Sequence, residues 1–170
     1  MKKDPINTLL WKFSSKRLEA EAIRDSILAV SGELRFRSKG GASVAGHKNE
    51  RSIYVKVIRN VKDEFLHSFD WADAFASNAV RNVTTTPIQS LLMINGKWVK
   101  KKADAFAKRL SKKYKKNYKA IIKHVYKAAY GRLPSSKELK MSRDYLSLKE
   151  TTVSDFCQVI FNSSEFLYVR

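Results

Sequence analysis

One cysteine, Cys157, is too little for an internal disulfide, a Cys-x-x-Cys-His haem attachment or a thiolate cluster for zinc. It stands in the apolar run Phe156-Cys157-Gln158-Val159-Ile160 with no basic residue within a helical turn, the setting of a buried, inert thiol. Histidine is scarce too: His47, His67 and His124 fall in three segments, and no pair has the i, i+4 spacing of a helical metal site. The residues therefore name no metal, no cofactor in this chain and no catalytic histidine with a fitting partner. No run approaches the roughly 18 to 20 consecutive apolar residues that span a bilayer. Met1-Lys2-Lys3-Asp4-Pro5 has no apolar segment of signal-peptide length behind it. Taken as complete, the sequence reads as a soluble, cytoplasmic chain. Acids are the last shortage, 16 against 34 Lys and Arg for a net charge of +18.

What is present is enough for a core. In 170 residues, 44% are hydrophobic, with nine Phe, seven Tyr and three Trp, which predicts one domain over residues 1–170. The clearest local signal is Arg81-Asn82-Val83-Thr84-Thr85-Thr86-Pro87-Ile88-Gln89, running on through an apolar stretch to Asn95. Thr86 suits an N-cap and Pro87 the first helical position, where its missing N–H is not needed. Asn95-Gly96 ends or kinks that helix.

Around this stretch the periodicity predicts an irregular all-α, multi-helix domain. Residues 1–15 read as an arm whose Leu9, Leu10, Trp11 and Phe13 dock on the body. A helix from Lys16 to about Leu34, capped by Ser15, carries Leu18, Ala22, Ile23, Ile27, Val30 and Leu34 inward; Arg17, Glu21, Arg24 and Asp25 read as its outer face. Residues 35–50 form a glycine-rich loop. With Arg37, Lys39 and Lys48 beside Gly40, Gly41 and Gly46 it can cradle a phosphate or be an ordinary surface loop, and it has neither a Walker nor a Gly-x-Gly-x-x-Gly spacing. In Arg51 to Phe69, Ile53, Val55 and Val57 alternate like one short extended segment, but Tyr54, Ile58, Val61, Phe65 and Phe69 keep helical spacing for longer, which favours helix. A connecting segment then runs through Ala74 and Asn78. Helices follow over Lys97–Lys112, burying Val99, Ala103, Phe106 and Leu110, and over Asn117–Tyr130, burying Tyr118, Ile121, Ile122, Val125, Tyr126 and Ala129. Gly131 and Pro134 stop the second, Ser135 or Ser136 starts another, and a last helix covers Val153 to Phe161.

Two sets of residues can carry function. The polar approach to Pro87 offers Arg81, Asn82, Thr84, Thr85 and Gln89 beside a helix N-terminus, suited either to an anionic or hydroxylated ligand or to an internal network stitching a loop to helices. The carboxylates of Asp63-Glu64, or of Asp70 with Asp73, can meet as an acid–base pair or bind a cation. From Lys97 to Lys127, twelve Lys and one Arg face a single acid, Asp104, which concentrates +12 of the net charge. Lys100, Lys101, Lys108, Lys112, Lys113, Lys115, Lys116, Lys119, Lys123 and Lys127 form either a solvated face or a polyanion surface for acidic polysaccharide or nucleic acid. Lysine in place of arginine argues against base-specific reading, which uses the bidentate guanidinium.

Several ordered motifs carry a resemblance: Asp4-Pro5-Ile6-Asn7, Arg17 to Gly32, Gly40-Gly41 with Val44, Arg51-Ser52-Ile53-Tyr54, Phe69-Asp70, Arg81 to Gln89, Gly131-Arg132-Leu133-Pro134 and Phe161 to Val169. Together they resemble the planctomycete-type domain of unknown function 1553. The resemblance implies a C-terminal domain of large exported proteins, behind a sister domain and often a c-type cytochrome module, in a periplasmic or extracellular setting linked to glycan processing. It also implies a candidate site at Arg81, Asn82, Thr84, Thr85, Gln89 and Asn95, joined by Asp70 and Arg132. The chain departs from that pattern by lacking an export signal, a sister domain and a haem motif, and by its heavy lysine load.

Overall fold

The computed structural model describes residues 4, 6–36, 42–75 and 79–169. Arg37, Lys39, Gly40 and Gly41 of the expected phosphate cradle, and Asn78 of the connecting segment, lie outside them. The fold is mostly helical. In chain order the elements are β1 (Lys16–Arg17), α1 (Ala20–Ser31), α2 (Glu64–Ser68), α3 (Pro87–Asn95), α4 (Lys97–Tyr114), α5 (Tyr118–Tyr130), α6 (Ser136–Leu146), α7 (Val153–Phe161), α8 (Ser164–Leu167) and β2 (Tyr168–Val169).

Helix α4 is the centre, packing against α1, α3, α5 and α7. Its spacing explains why: Val99, Ala103, Phe106 and Leu110 recur at three and four, and all are buried. They meet Ile23 and Ile27 of α1, Met93 of α3, Ile121, Ile122 and Val125 of α5, and Phe156, Cys157, Ile160 and Phe161 of α7 in one buried cluster. Burial pushes the Cys157 thiol up to about 12, so it stays neutral and unreactive. Helix boundaries in this half follow local chemistry. Ser135 Oγ accepts from the backbone N–H of Glu138 while Glu138 Oε2 accepts from that of Ser135. Gly131 closes α5 in the left-handed conformation, φ 72°.

The first half departs from its periodicity. The helix expected from Lys16 begins at Ala20, because Lys16 and Arg17 form a strand antiparallel to β2, Arg17 opposite Tyr168. Arg17 and Arg24, expected on an outer face, are 5% and 1% exposed. Arg24 is buried because it shares a stripe with Ala20, Ile27 and Ser31, all of them buried. Its guanidinium replaces water with the carbonyls of Gly46, Lys48 and Glu50 at 2.6 to 2.8 Å and the Ser52 hydroxyl at 3.2 Å. Those bonds wrap residues 46–52 onto α1. Asp25 holds the same turn by accepting from the backbone and hydroxyl of Ser52 at 2.8 and 2.7 Å.

The long helix favoured over residues 51–69 is instead a 3-10 turn at Ser52–Tyr54, isolated bridges pairing Val44 with Val55 and Ile58 with Val61, and then the short α2. The arm does not dock. Ile6, Leu9, Leu10, Trp11 and Phe13 are 50% to 86% exposed. It is organised by its own bonds: Asp4 accepts from the backbone N–H groups of Thr8 and Leu9, and the Trp11 indole donates to the Asp4 carbonyl.

Candidate functional site

Asp70 is the hub of the polar region before α3. It follows α2 with φ 62°, a left-handed conformation that aspartate tolerates better than most side chains. Its Oδ2 accepts from Arg17 Nη2 at 2.6 Å and from the Thr84 backbone N–H at 2.7 Å, and the Thr84 hydroxyl donates to Oδ1 at 2.8 Å. Buried Gln89 donates from Nε2 to Thr84 Oγ1 at 3.4 Å, and its Oε1 accepts from the Thr86 N–H at 3.3 Å. That second bond closes the N-terminus of α3 from within. Thr85 adds a hydroxyl contact of 3.1 Å to Tyr168. Asp70, Thr84, Thr85 and Gln89 are thus engaged mainly with one another and with the two strand residues Arg17 and Tyr168.

Arg81 turns the other way, to α1. Its Nη1 donates to Glu21 Oε2 at 2.7 Å and lies 3.4 Å from Glu19 Oε2. The Glu21 hydrogen bond raises the Arg81 guanidinium above its ordinary range. Partial burial works to raise Glu21 in turn, but the Arg81 bond and charge outweigh it and hold that carboxyl below its ordinary value. Asn82 makes no hydrogen bond among the described residues. It lines a cleft of about 330 Å³ with Asp70, Trp71, Asp73 and Arg81, so Asp70 and Arg81 share one cavity. Both of Asp70's oxygens accept hydrogen bonds, which ties β1 to the approach to α3.

Two expected members lie elsewhere. Asn95, at the far end of α3, lines a separate cavity of about 530 Å³ with Arg24, Asp63, Glu64 and Trp98. Arg132 is a clasp between helices: Nε and Nη2 donate to the two oxygens of Glu165 at 2.7 Å, while Nη1 and Nη2 donate to Glu138 at 2.9 and 2.6 Å. That pairing, led by the Arg132 hydrogen bond, holds Glu138 down to about 2. The guanidinium also covers the rings of Tyr126 and Tyr130.

On α4, α5 and their connection, all ten lysines of the expected polyanion surface are exposed. Two other cations of the same stretch bond back to the body. Lys102 is buried against Glu33 at 2.9 Å and Asn49 at 2.6 Å, and Arg109 Nη2 donates to the Val30 carbonyl at 2.6 Å. Asp104 accepts from the Ser154 hydroxyl, which ties the stretch's one acid to α7. Tyr118, expected in the core, is 36% exposed, because it opens α5 in the corner where the chain reverses. Lys115 makes that corner with φ 51° and ψ −125°, and the Asn117 N–H donates to the Tyr114 carbonyl across it. His124, 3.1 Å from the Tyr114 hydroxyl, is pushed down by burial and then by Arg109, Lys113 and Lys127.

The family described as a protein of unknown function (DUF1553) matches residues 1–146. The chain belongs to the DUF1553 family. The match contains Asp70, Arg81, Asn82, Thr84, Thr85, Gln89, Asn95, Arg132 and the whole lysine face, and stops before α7. Neither a curated protein nor a solved structure matches. Sequence reasoning missed the partners of this DUF1553 site: Arg17, Glu21 and Tyr168. Arg17 and Tyr168 carry no local signal, since their roles come from a strand pairing across nearly the whole chain. Glu21 lies on α1, where a neighbouring base was the expected partner. Among the described residues no three His, Cys, Asp or Glu gather as a metal centre, and no helix is long and apolar enough to cross a membrane.

Proposed function

We propose that this DUF1553 chain is a non-catalytic helical module that holds acidic polysaccharide on its α4–α5 lysine face. It would act within an exported, periplasmic or extracellular assembly for glycan processing or electron transfer, beside sister and cytochrome c type domains. The observation that carries the reading is the sorting of charge on α4 and α5. Lys102 and Asp104 are drawn into internal bonds, Arg109 spends Nη2 on a backbone carbonyl, and the ten lysines of the face, with Lys97 beside them, are left outward. Ammonium groups are point charges that attract sulfate or carboxylate without demanding a base edge, and the one guanidinium of the stretch is tethered through Nη2 to a backbone carbonyl. Polyanion contact without sequence reading follows from that chemistry. Exposed Tyr118 beside Lys115, Lys116 and Lys119 favours a second reading, stacking on the bases of single-stranded nucleic acid.

The test replaces Lys108, Lys112, Lys116 and Lys123 together by Gln and measures affinity for a sulfated polysaccharide at low salt. Affinity is expected to fall about tenfold or more, with the melting temperature unchanged, since all four side chains are exposed. Undiminished binding would remove the lysine face from the account. Tyr118→Ala separates the readings: it weakens single-stranded nucleic acid if bases stack there, and leaves the sulfated polysaccharide unaffected.

A further inference from the structure

The cleft between the end of α2 and residues 80–82 is built differently from the lysine face. Its inner wall is fixed before any ligand arrives, because Asp70 is clamped by Arg17 and Thr84, and Arg81 by Glu21. Trp71 is fixed as well, its backbone N–H bonded to the Leu66 carbonyl at 3.1 Å and its ring set edge-to-face with His67 at 5.5 Å. Around this frame several polar groups have no partner among the described residues: the Asn82 amide, the imidazole nitrogens of His67, and Nε and Nη2 of Arg81. Asp73 uses one oxygen on the Phe75 N–H and keeps the other.

The unspent set contains donors and acceptors together, with charges of both signs. A polyanion entering would meet the carboxylates of Asp70 and Asp73, and a cation would meet Arg81. A hydroxyl both donates and accepts, so a neutral polyhydroxylated ligand satisfies every group at once. An indole gives the C–H face of such a ring an apolar surface. At about 330 Å³ the cleft is at the small end of ligand sites.

We propose that this cleft binds one neutral sugar ring, with Trp71 as the apolar platform and Asn82, His67, Asp73 and the free edge of Arg81 bonding its hydroxyls. The site is independent of the lysine face and stands or falls without it.

Calorimetric titration of the chain with cellopentaose, xylopentaose, mannopentaose and galactopentaose, at about 50 mM and about 500 mM salt, tests the assignment. At least one is expected to bind with an affinity that salt leaves unchanged. Asn82→Ala should weaken it about tenfold, and Trp71→Ala should abolish it. Asn82 is exposed, so its variant is expected to melt with the wild type, which keeps the result readable if Trp71→Ala does not fold. The quadruple Gln variant of the lysine face should bind the neutral sugar as the wild type does. Absence of binding to all four sugars, or binding undiminished in Asn82→Ala, would overturn the proposal.

Discussion

Replacing Asp70 removes the one carboxylate that, among the described residues, meets the Arg17 guanidinium, and the cost can be worked from the structure. The Arg17 side chain is 3% exposed and that of Asp70 18%, so water does little to screen the pair. Without Asp70 the guanidinium keeps the Phe69 carbonyl at 3.3 Å and the Phe69 ring, while its Nε and Nη1 are buried with no hydrogen-bond partner among the described residues. An uncompensated buried charge costs about 3 to 5 kcal/mol. Alanine at φ 62° adds about 1 kcal/mol of backbone strain. Asp70→Ala is thus expected to lose about 4 to 6 kcal/mol in urea unfolding followed by helical circular dichroism. Asp70→Asn keeps the shape, the left-handed tolerance and one acceptor, so its loss should be about 2 kcal/mol. Adding Arg17→Met to Asp70→Asn removes the stranded charge and should restore most of that loss. A cost below about 1 kcal/mol for Asp70→Ala, the value of an exposed ion pair, would mean that the Arg17 charge is not held by Asp70.

Other expectations follow from single positions. Lys115 sits where a reversed turn requires positive φ, so Lys115→Gly should raise stability by about 1 kcal/mol, checked by thermal melting; a loss would contradict it. Gln89→Ala should cost about 1 to 3 kcal/mol, because it empties a buried position and removes the bonds to Thr84 and Thr86 at the start of α3, whereas Arg81→Ala should cost about 1 kcal/mol or less, its side chain being 33% exposed. Glu138 is held down to about 2 by Arg132, so its contribution is full above the unfolded value and is lost as pH falls from about 4.5 toward 2; Glu138→Gln should flatten that acid limb. His124 is pushed down, so its neutral form is favoured in the fold and stability should decline as pH falls below about 6.5. A polyanion over Lys113 and Lys127 would offset their charge and raise the His124 titration midpoint, which proton NMR can follow.

The second half of the fold was legible because its determinants are local. Apolar residues at three and four, Ser135 with Glu138, and Gly131 before Pro134 set α4 to α7 nearly to the residue, and α7 runs from Val153 to Phe161 as its periodicity predicts. Thr86, Pro87 and Gln89 did the same for α3. The first half answers to distant partners. β1 exists because Tyr168 and Val169 return to it, and residues 46–52 follow the hydrogen bonds of Arg24 rather than their own periodicity. Arg24 had a readable signal, since it stands four after Ala20 and three before Ile27; an arginine in an apolar stripe marks a buried cation collecting carbonyls. Of the candidate residues, the polar stretch stood out by residue type and Asp70 joined it through the family resemblance, but Asn95 and Arg132 belong to other places in the fold. Their separation is three-dimensional and leaves no trace in spacing.

A salt series decides whether the α4–α5 lysine face holds acidic polysaccharide selectively. The intact chain would be titrated with a sulfated polysaccharide, a neutral polysaccharide, and single- and double-stranded nucleic acid. The expected result is binding to the sulfated polysaccharide that persists near physiological salt while both nucleic acids are released. Loss of all polyanions together at that salt would contradict the account, and would leave the ten lysines as a solvated face.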